Sequence, residues 1–207
     1  LNEAIEALSI NKEDMEAYYG MLTASDSVYQ SAINILTKKS FEDKDNHNHW
    51  EYFLGLLYIR HKDYKNAIKT LQPLVDDNTE IKDMALYWMT DCYEEIENMP
   101  KVIELCNQAL AAEPENAEYL SKRATAKFYT HDLEGAKADY EATMKADTDY
   151  GFFCYYRLGW IEEIMGNYDL ALEHFDKSIA LNEDDPYTHM MKGCLLKDHM
   201  NKPEEAK

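Results

Sequence analysis

Tyr155-Tyr156-Arg157-Leu158-Gly159-Trp160 is followed, after a short run, by Gly166-Asn167-Tyr168-Asp169-Leu170-Ala171-Leu172-Glu173-His174-Phe175. A glycine interrupts an apolar stretch. A Gly-Asn pair then marks a turn, and an alanine is followed four residues on by an aromatic. The same pattern returns along the whole chain. Small residues recur at Gly20, Gly55, Thr90, Ala124, Gly159 and Gly193, at intervals of 35, 35, 34, 35 and 34. A second series, Ala32, Ala67, Val102, Ala136, Ala171 and Ala206, runs at 35, 35, 34, 35 and 35. Tyr29, Tyr64, Met99, Leu133 and Tyr168 keep that interval, as do Leu36, Leu71, Cys106, Tyr140 and Phe175. Several independent series on one period mean a repeat array.

Each period reads as two helices, because apolar residues within it recur at i, i+3, i+4 and i+7 and so share one helical face. Turns inside a unit are expected at His61–Tyr64, Glu97–Pro100, Thr130–Leu133 and Met165–Tyr168. Gly166 and Asn167 suit a left-handed helix end, and Pro100 suits a first turn. Turns between units are expected at Asp76–Thr79, Glu113–Asn116 and Asn182–Pro186. A mid-helix glycine costs roughly 1 kcal/mol against alanine. Its return at one phase implies a packing purpose: two helices of a unit approach closely there. A helix pair cannot bury both faces alone, so units stack. Only 7 glycines and 5 prolines occur, and no Ser/Gly-rich linker divides the chain, so one continuous domain is expected.

The Leu158-Gly159 pair, Ala171 and Phe175 resemble the tetratricopeptide repeat, whose pattern is W-x2-L-G-x2-Y, then A-x3-F, then P. Leu54-Gly55 with Tyr58, Ala67 and Leu71 matches again. Met89-Thr90 stands in for the Leu-Gly pair in the next unit, where Tyr93, Ala109 and Pro114 keep their places. Ala124, Ala136 and Tyr140 keep theirs in the one after. The resemblance implies an all-α, right-handed superhelical solenoid of antiparallel helix pairs. The units are 13–47, 48–82, 83–116, 117–151 and 152–185, with partial units 1–12 and 186–207. Both termini then read as cuts through a longer array. Pentatricopeptide repeats share the period and read single-stranded RNA, but they need a basic groove. This chain carries 21 basic and 40 acidic side chains, a formal charge of -19.

That charge argues against nucleic acid and anionic membrane partners and favours a protein or peptide of basic or mixed charge. No apolar run approaches a membrane span, and the opening Leu1-Asn2-Glu3 shows no signal peptide. Cys92, Cys106, Cys154 and Cys194 form no C-x-x-C pair and read as buried, reduced thiols, which points to a cytoplasmic setting.

In this family the first helix of each unit lines a concave groove. The resemblance therefore nominates Tyr52 and Leu56, Tyr87 and Asp91, Phe128, and Phe153, Tyr156, Arg157 and Trp160 as groove residues. Packing between helices is the competing use of the same aromatics. Some members hold a chaperone's C-terminal carboxylate in a clamp of Lys, Asn and Arg. Arg157 occupies the arginine place, but Phe153 replaces the lysine before it, so chaperone binding is not expected. Lys122, Arg123 and Lys127 could join Arg157 in a basic patch or pair with acids. The run Asp43-Lys44-Asp45-Asn46-His47-Asn48-His49 lacks the glycine and glutamate of a calcium loop, so it reads as a polar connection. No nucleophile elbow, phosphate loop or zinc-protease motif occurs. The expected function is a non-catalytic, cofactor-free and metal-free scaffold binding a peptide or helix. The alternative is an internal structural, regulatory or self-associating segment of a larger protein.

Overall fold

The structure, a computed structural model, describes Ile5 and residues 26–199. Every regular element among the described residues is helical. They fall in two compact units, Leu1–Asn98 and Met99–Lys207. The first holds α1 (Asp26–Glu42), a 3-10 turn (Lys44–Asn46), α2 (His47–Arg60), α3 (Tyr64–Asp76) and α4 (Lys82–Glu95). The second holds α5 (Met99–Ala112), α6 (Ala117–Tyr129), α7 (Leu133–Ala146), a 3-10 turn (Thr148–Tyr150), α8 (Gly151–Ile164), α9 (Tyr168–Leu181) and α10 (Pro186–Asp198). Within each unit every helix packs on the next, and α2 also touches α4 and α8 touches α10. The division at Asn98 and Met99 falls between α4 and α5, inside the interval read as the unit 83–116. Gly20, Ala206 and most of the two partial terminal units lie outside the described residues.

The repeating series are the core. Ala32, Ala67, Val102, Ala136 and Ala171 are fully buried, and so are Leu36, Leu71, Cys106, Tyr140 and Phe175. The glycines explain how the helices come so close. A Cβ on Gly55 would sit 2.5 Å from Leu71 Cδ2, and one on Gly159 would sit 2.6 Å from two ring carbons of Phe175. The small residue of the first helix therefore receives the large residue of the second, and the buried alanine lies one turn before that large residue.

Helix ends repeat as faithfully as the core. Lys62, Glu97, His131 and Gly166 take left-handed backbone conformations, with φ of 59°, 57°, 64° and 82°. At Glu97 its own N–H reaches Glu94 O at 2.9 Å while Asn98 N reaches Tyr93 O at 2.9 Å. The same double bond closes the turns at Lys62, His131 and Gly166. It satisfies carbonyls that a helix end leaves orphaned. Only Gly166 was legible as left-handed. Asn167, paired with it in the sequence reading, has φ of -88° and instead begins the next helix, its amide nitrogen donating to Glu162 Oε2 at 2.7 Å. Asp63, Asn116, Asp132 and Asp185 cap α3, α6, α7 and α10 by accepting a backbone N–H three residues on.

Candidate peptide-binding face

The second unit gathers a cluster that begins with helical spacing. Phe153, Tyr156, Arg157 and Trp160 stand at i, i+3, i+4 and i+7 on α8 and share one face. Phe128, at the end of α6, meets them from the neighbouring helix: its ring centroid lies 4.9 Å from that of Trp160. Arg157 sits among the rings. Its guanidinium carbon is 5.2 Å from the centroid of Phe153, 5.7 Å from those of Tyr156 and Trp160, and 5.8 Å from that of Phe128. A cation over aromatic faces gains about 0.5–2 kcal/mol per contact, more as water is excluded. Arg157 Nε is shut from solvent and has no hydrogen-bond partner, and no carboxylate pairs with Arg157 among the described residues. Phe153 is braced from behind by Tyr140, with centroids 5.9 Å apart, and the Tyr140 hydroxyl meets Thr125 Oγ1 at 3.0 Å. Burial pushes the Tyr140 phenol up to about 12.

Burial raises the Tyr156 pKa; Arg157 opposes the rise, while Asp185, Tyr129 and Tyr187 add to it. Tyr129, on α6 with its ring edge-on to Phe128 at 5.6 Å between centroids, and Tyr187, on α10, are both exposed. Sequence reading missed both. A signal for Tyr187 existed, because it lies 34 residues after Phe153 and keeps the same register as Gly159 and Gly193. The Trp160 indole N–H and the hydroxyls of Tyr129, Tyr156 and Tyr187 make no hydrogen bond to another described residue.

The first unit uses its candidates differently. Leu56 is buried in the core with Trp50, Phe53 and Leu57, so it offers a ligand no surface. That corrects its nomination: the apolar face of α2 is broad enough that this position turns inward. The Tyr52 hydroxyl accepts a hydrogen bond from Trp88 Nε1 at 3.0 Å, and the Tyr87 ring lies edge-on to Trp88 with centroids 5.2 Å apart. Asp91 is half-buried beside Cys92, whose thiol burial and then Asp91 push up to about 12.

The remaining nominated groups are engaged in the fold. Asp139, almost wholly buried, accepts from Arg123 Nε at 2.8 Å and Nη2 at 2.7 Å, and from Lys127 Nζ at 2.8 Å. Ion pairs thus account for Arg123 and Lys127. In the polar connection, Asp43 accepts from Trp50 Nε1 at 3.0 Å, the Ser40 hydroxyl contacts His47 Nδ1 at 2.9 Å, and His49 Nδ1 lies 3.6 Å from Glu80. Cys92, Cys106 and Cys154 are buried as expected, but Cys194 is exposed on α10. No helix among the described residues is long and apolar enough to cross a membrane.

Comparison with known proteins converges on one family. The tetratricopeptide repeat family profile matches residues 152–185, the interval of α8 and α9. A TPR repeat-containing protein of Methanocaldococcus jannaschii is 27% identical over 163 residues, which cover 73% of this chain and 26% of the relative. The fold of the described residues is that of a tetratricopeptide-repeat solenoid. The chain spans about a quarter of the length of that archaeal tetratricopeptide-repeat relative. Solved tetratricopeptide-repeat structures superpose on it. YrrB, described as a TPR protein with an unusual peptide-binding site, gives a TM-score of 0.70 at 20% identity, covering 91% of this chain and 97% of its own. MamA of Desulfovibrio magneticus, residues 41 to the end, gives 0.70 at 14% identity, covering 77% and 88%. At such identities the likeness shows the fold alone. In tetratricopeptide register, the face around Arg157 belongs to the first helices of successive repeats: α6, α8 and α10.

Proposed function

We propose that this chain is a non-catalytic protein-interaction scaffold, and that the Arg157 face of its second unit holds a peptide or helix of a partner protein. One observation carries this reading. Four aromatic side chains, Phe128, Phe153, Tyr156 and Trp160, gather around one arginine, and the Trp160 N–H and Arg157 Nε remain unspent among the described residues. Aromatic and arginine anchors dominate interface energetics because they present large area at small entropic cost. A merely structural cluster would instead turn its polar atoms to internal partners, as Trp88 and Tyr52 do. The family's use as an interaction module and the peptide-binding site named for YrrB support the reading. The acidic balance favours a partner of basic or mixed charge.

Affinity capture from a lysate with the wild-type chain and with the Tyr156→Ala, Trp160→Ala double variant tests it. Partners lost from the variant support the face; identical capture refutes it. The chain's coverage of only 26% of its archaeal relative favours a second reading, an internal structural or self-associating segment of a larger protein. Light scattering across concentration separates the two: growth in mass with concentration that the double variant does not change supports self-association.

A further inference from the structure

We infer that the end of α10 is a histidine clasp, which seats this helix more firmly on α8 and α9 as the medium turns mildly acidic. Three elements build it. Tyr168 opens α9, and its ring lies flat on that of His199, with centroids 4.5 Å apart and planes at 13°. Glu163, in the last turn of α8, sets Oε1 3.9 Å from His199 Nε2. The left-handed turn at Gly166 joins α8 to α9, its N–H bonding to Glu163 O at 3.0 Å. Glu163 Oε2 is shut from solvent and has no hydrogen-bond partner, and among the described residues no other cation pairs with this carboxylate.

A carboxylate so placed gains from a charged neighbour and not from a neutral one. A histidine can be either near neutrality, which no lysine or arginine can. The protonated ring of His199 meets the Glu163 charge and the electron-rich face of Tyr168 together. The surrounding charges favour it: Asp169 of α9 lines the same concavity and Asp198 precedes it on α10, against Lys197 two residues before it. Burial pushes the Glu163 pKa up; His199 opposes the rise and Asp198 adds to it. Both partners are therefore charged in a window, below the histidine range and above the pH at which Glu163 takes up its proton. The other ties of α10 to its neighbours do not titrate there: Lys192 Nζ meets Asp176 of α9 at 2.6 Å, and Thr188 Oγ1 meets Ser178 Oγ at 3.3 Å. His189, the second histidine of α10, contacts Glu183 O at 2.8 Å, in the approach to its own helix. The stack is also a repeated device. In the first unit His61 holds the register of His199 and stacks on Tyr29, with centroids 3.7 Å apart and planes at 26°. Between them that register carries Ile96, Thr130 and Met165, which do not titrate.

Amide hydrogen exchange of the full chain tests the clasp, read residue by residue by NMR from about pH 8 to about pH 5 and corrected for intrinsic rates. The readout is protection at Leu195 to His199, where the His199 N–H closes the last turn on Leu195 O at 3.1 Å. It should rise about 2–5-fold as pH falls through the histidine range, the effect of one partly exposed ion pair, and fall again once Glu163 is protonated. His199→Phe keeps a ring against Tyr168 but carries no charge, and should hold protection level across the histidine range. Glu163→Gln should do the same from α8, and His189→Gln should keep the rise. No rise in the wild-type chain, a rise that survives in His199→Phe or in Glu163→Gln, or a rise lost in His189→Gln would overturn the inference. Should His199→Phe unseat α10 altogether, Glu163→Gln, which leaves that helix untouched, still decides it.

Discussion

Gly159→Ala adds one methyl group at the tightest crossing in the second unit. Its Cβ would stand 2.6 Å from Phe175 Cδ1 and Cε1 and 3.1 Å from Cζ. Comfortable carbon–carbon contact is about 3.5–4.0 Å, so the ring must move by roughly an ångström. Phe175 is fully buried, so that movement must displace its neighbours in a close-packed core. Overpacking of this kind costs about 1–3 kcal/mol. Against it stands a gain of roughly 1 kcal/mol, because alanine prefers a helix interior to glycine. The net expectation is a loss of up to about 2 kcal/mol, or up to about 8 °C in the melting midpoint for a chain of this size. Circular dichroism melts read it. The double-mutant cycle with Phe175→Leu isolates the cause: the smaller side chain should relieve the clash, so the two losses should fall short of adding by at least about 0.5 kcal/mol. Gly55→Ala, which meets the flexible end of Leu71 at 2.5 Å, should cost less. A Gly159→Ala protein that melts above wild type would mean that helix propensity acts alone, and the close approach would be refuted.

Glu97→Gly should stabilise the chain by about 0.5–1 kcal/mol, since Glu97 holds φ of 57° where only glycine is at ease; a lower melting midpoint would contradict the left-handed turn. Glu162 has a side chain with no exposure and is met by Lys137 Nζ at 2.5 Å and Asn167 Nδ2 at 2.7 Å. Burial pushes its pKa up, but those bonds outweigh it and the folded value lies below the ordinary 4.5. The ionised carboxylate therefore adds stability that is present above 4.5 and lost as pH falls through the folded value. Glu162→Gln should flatten that acid limb in urea titrations, and an unchanged slope would show that Glu162 does not contribute. Lys137→Met strands the carboxylate and should cost about 2–4 kcal/mol at neutral pH by the same assay. A thiol reagent should label Cys194 quickly in the native chain and leave Cys92 and Cys154 untouched, because burial holds both of those thiols near 12; mass mapping of labelled peptides decides it.

The periodic part of the fold was legible because burial repeats with sequence. Ala67, Ala136 and Ala171, and Leu71, Tyr140 and Phe175 four residues after each, all end in the core that their spacing implies. The left-handed turns were legible only at Gly166. At Lys62, Glu97 and His131 the hydrogen-bonded turn imposes the conformation on residues with no preference for it. The site was half legible. Helical spacing placed Phe153, Tyr156, Arg157 and Trp160 on one face, but that Phe128 reaches them from α6 depends on how two helices cross. Leu56 keeps the register of Trp160, yet it faces inward because neighbouring Phe53 and Leu57 make that side of α2 apolar. Cys194, in the same register again, is exposed.

A repeat array builds one scaffold many times, so its specific chemistry must reside where equivalent side chains are spent differently. The three tryptophans show this. Trp50 gives its N–H to Asp43 and is fully buried, fixing the entry to α2. Trp88 gives its N–H to Tyr52 and ties α4 to α2. Trp160 packs its ring on Phe128 and Tyr156 but keeps its N–H unclaimed among the described residues, beside an arginine whose Nε is likewise unclaimed. Stability alone gives no reason for that difference, since an internal acceptor was found twice in the first unit. The unclaimed donors of Trp160 and Arg157 are therefore what sets the proposed interaction face of the second unit apart from the tryptophans of the first.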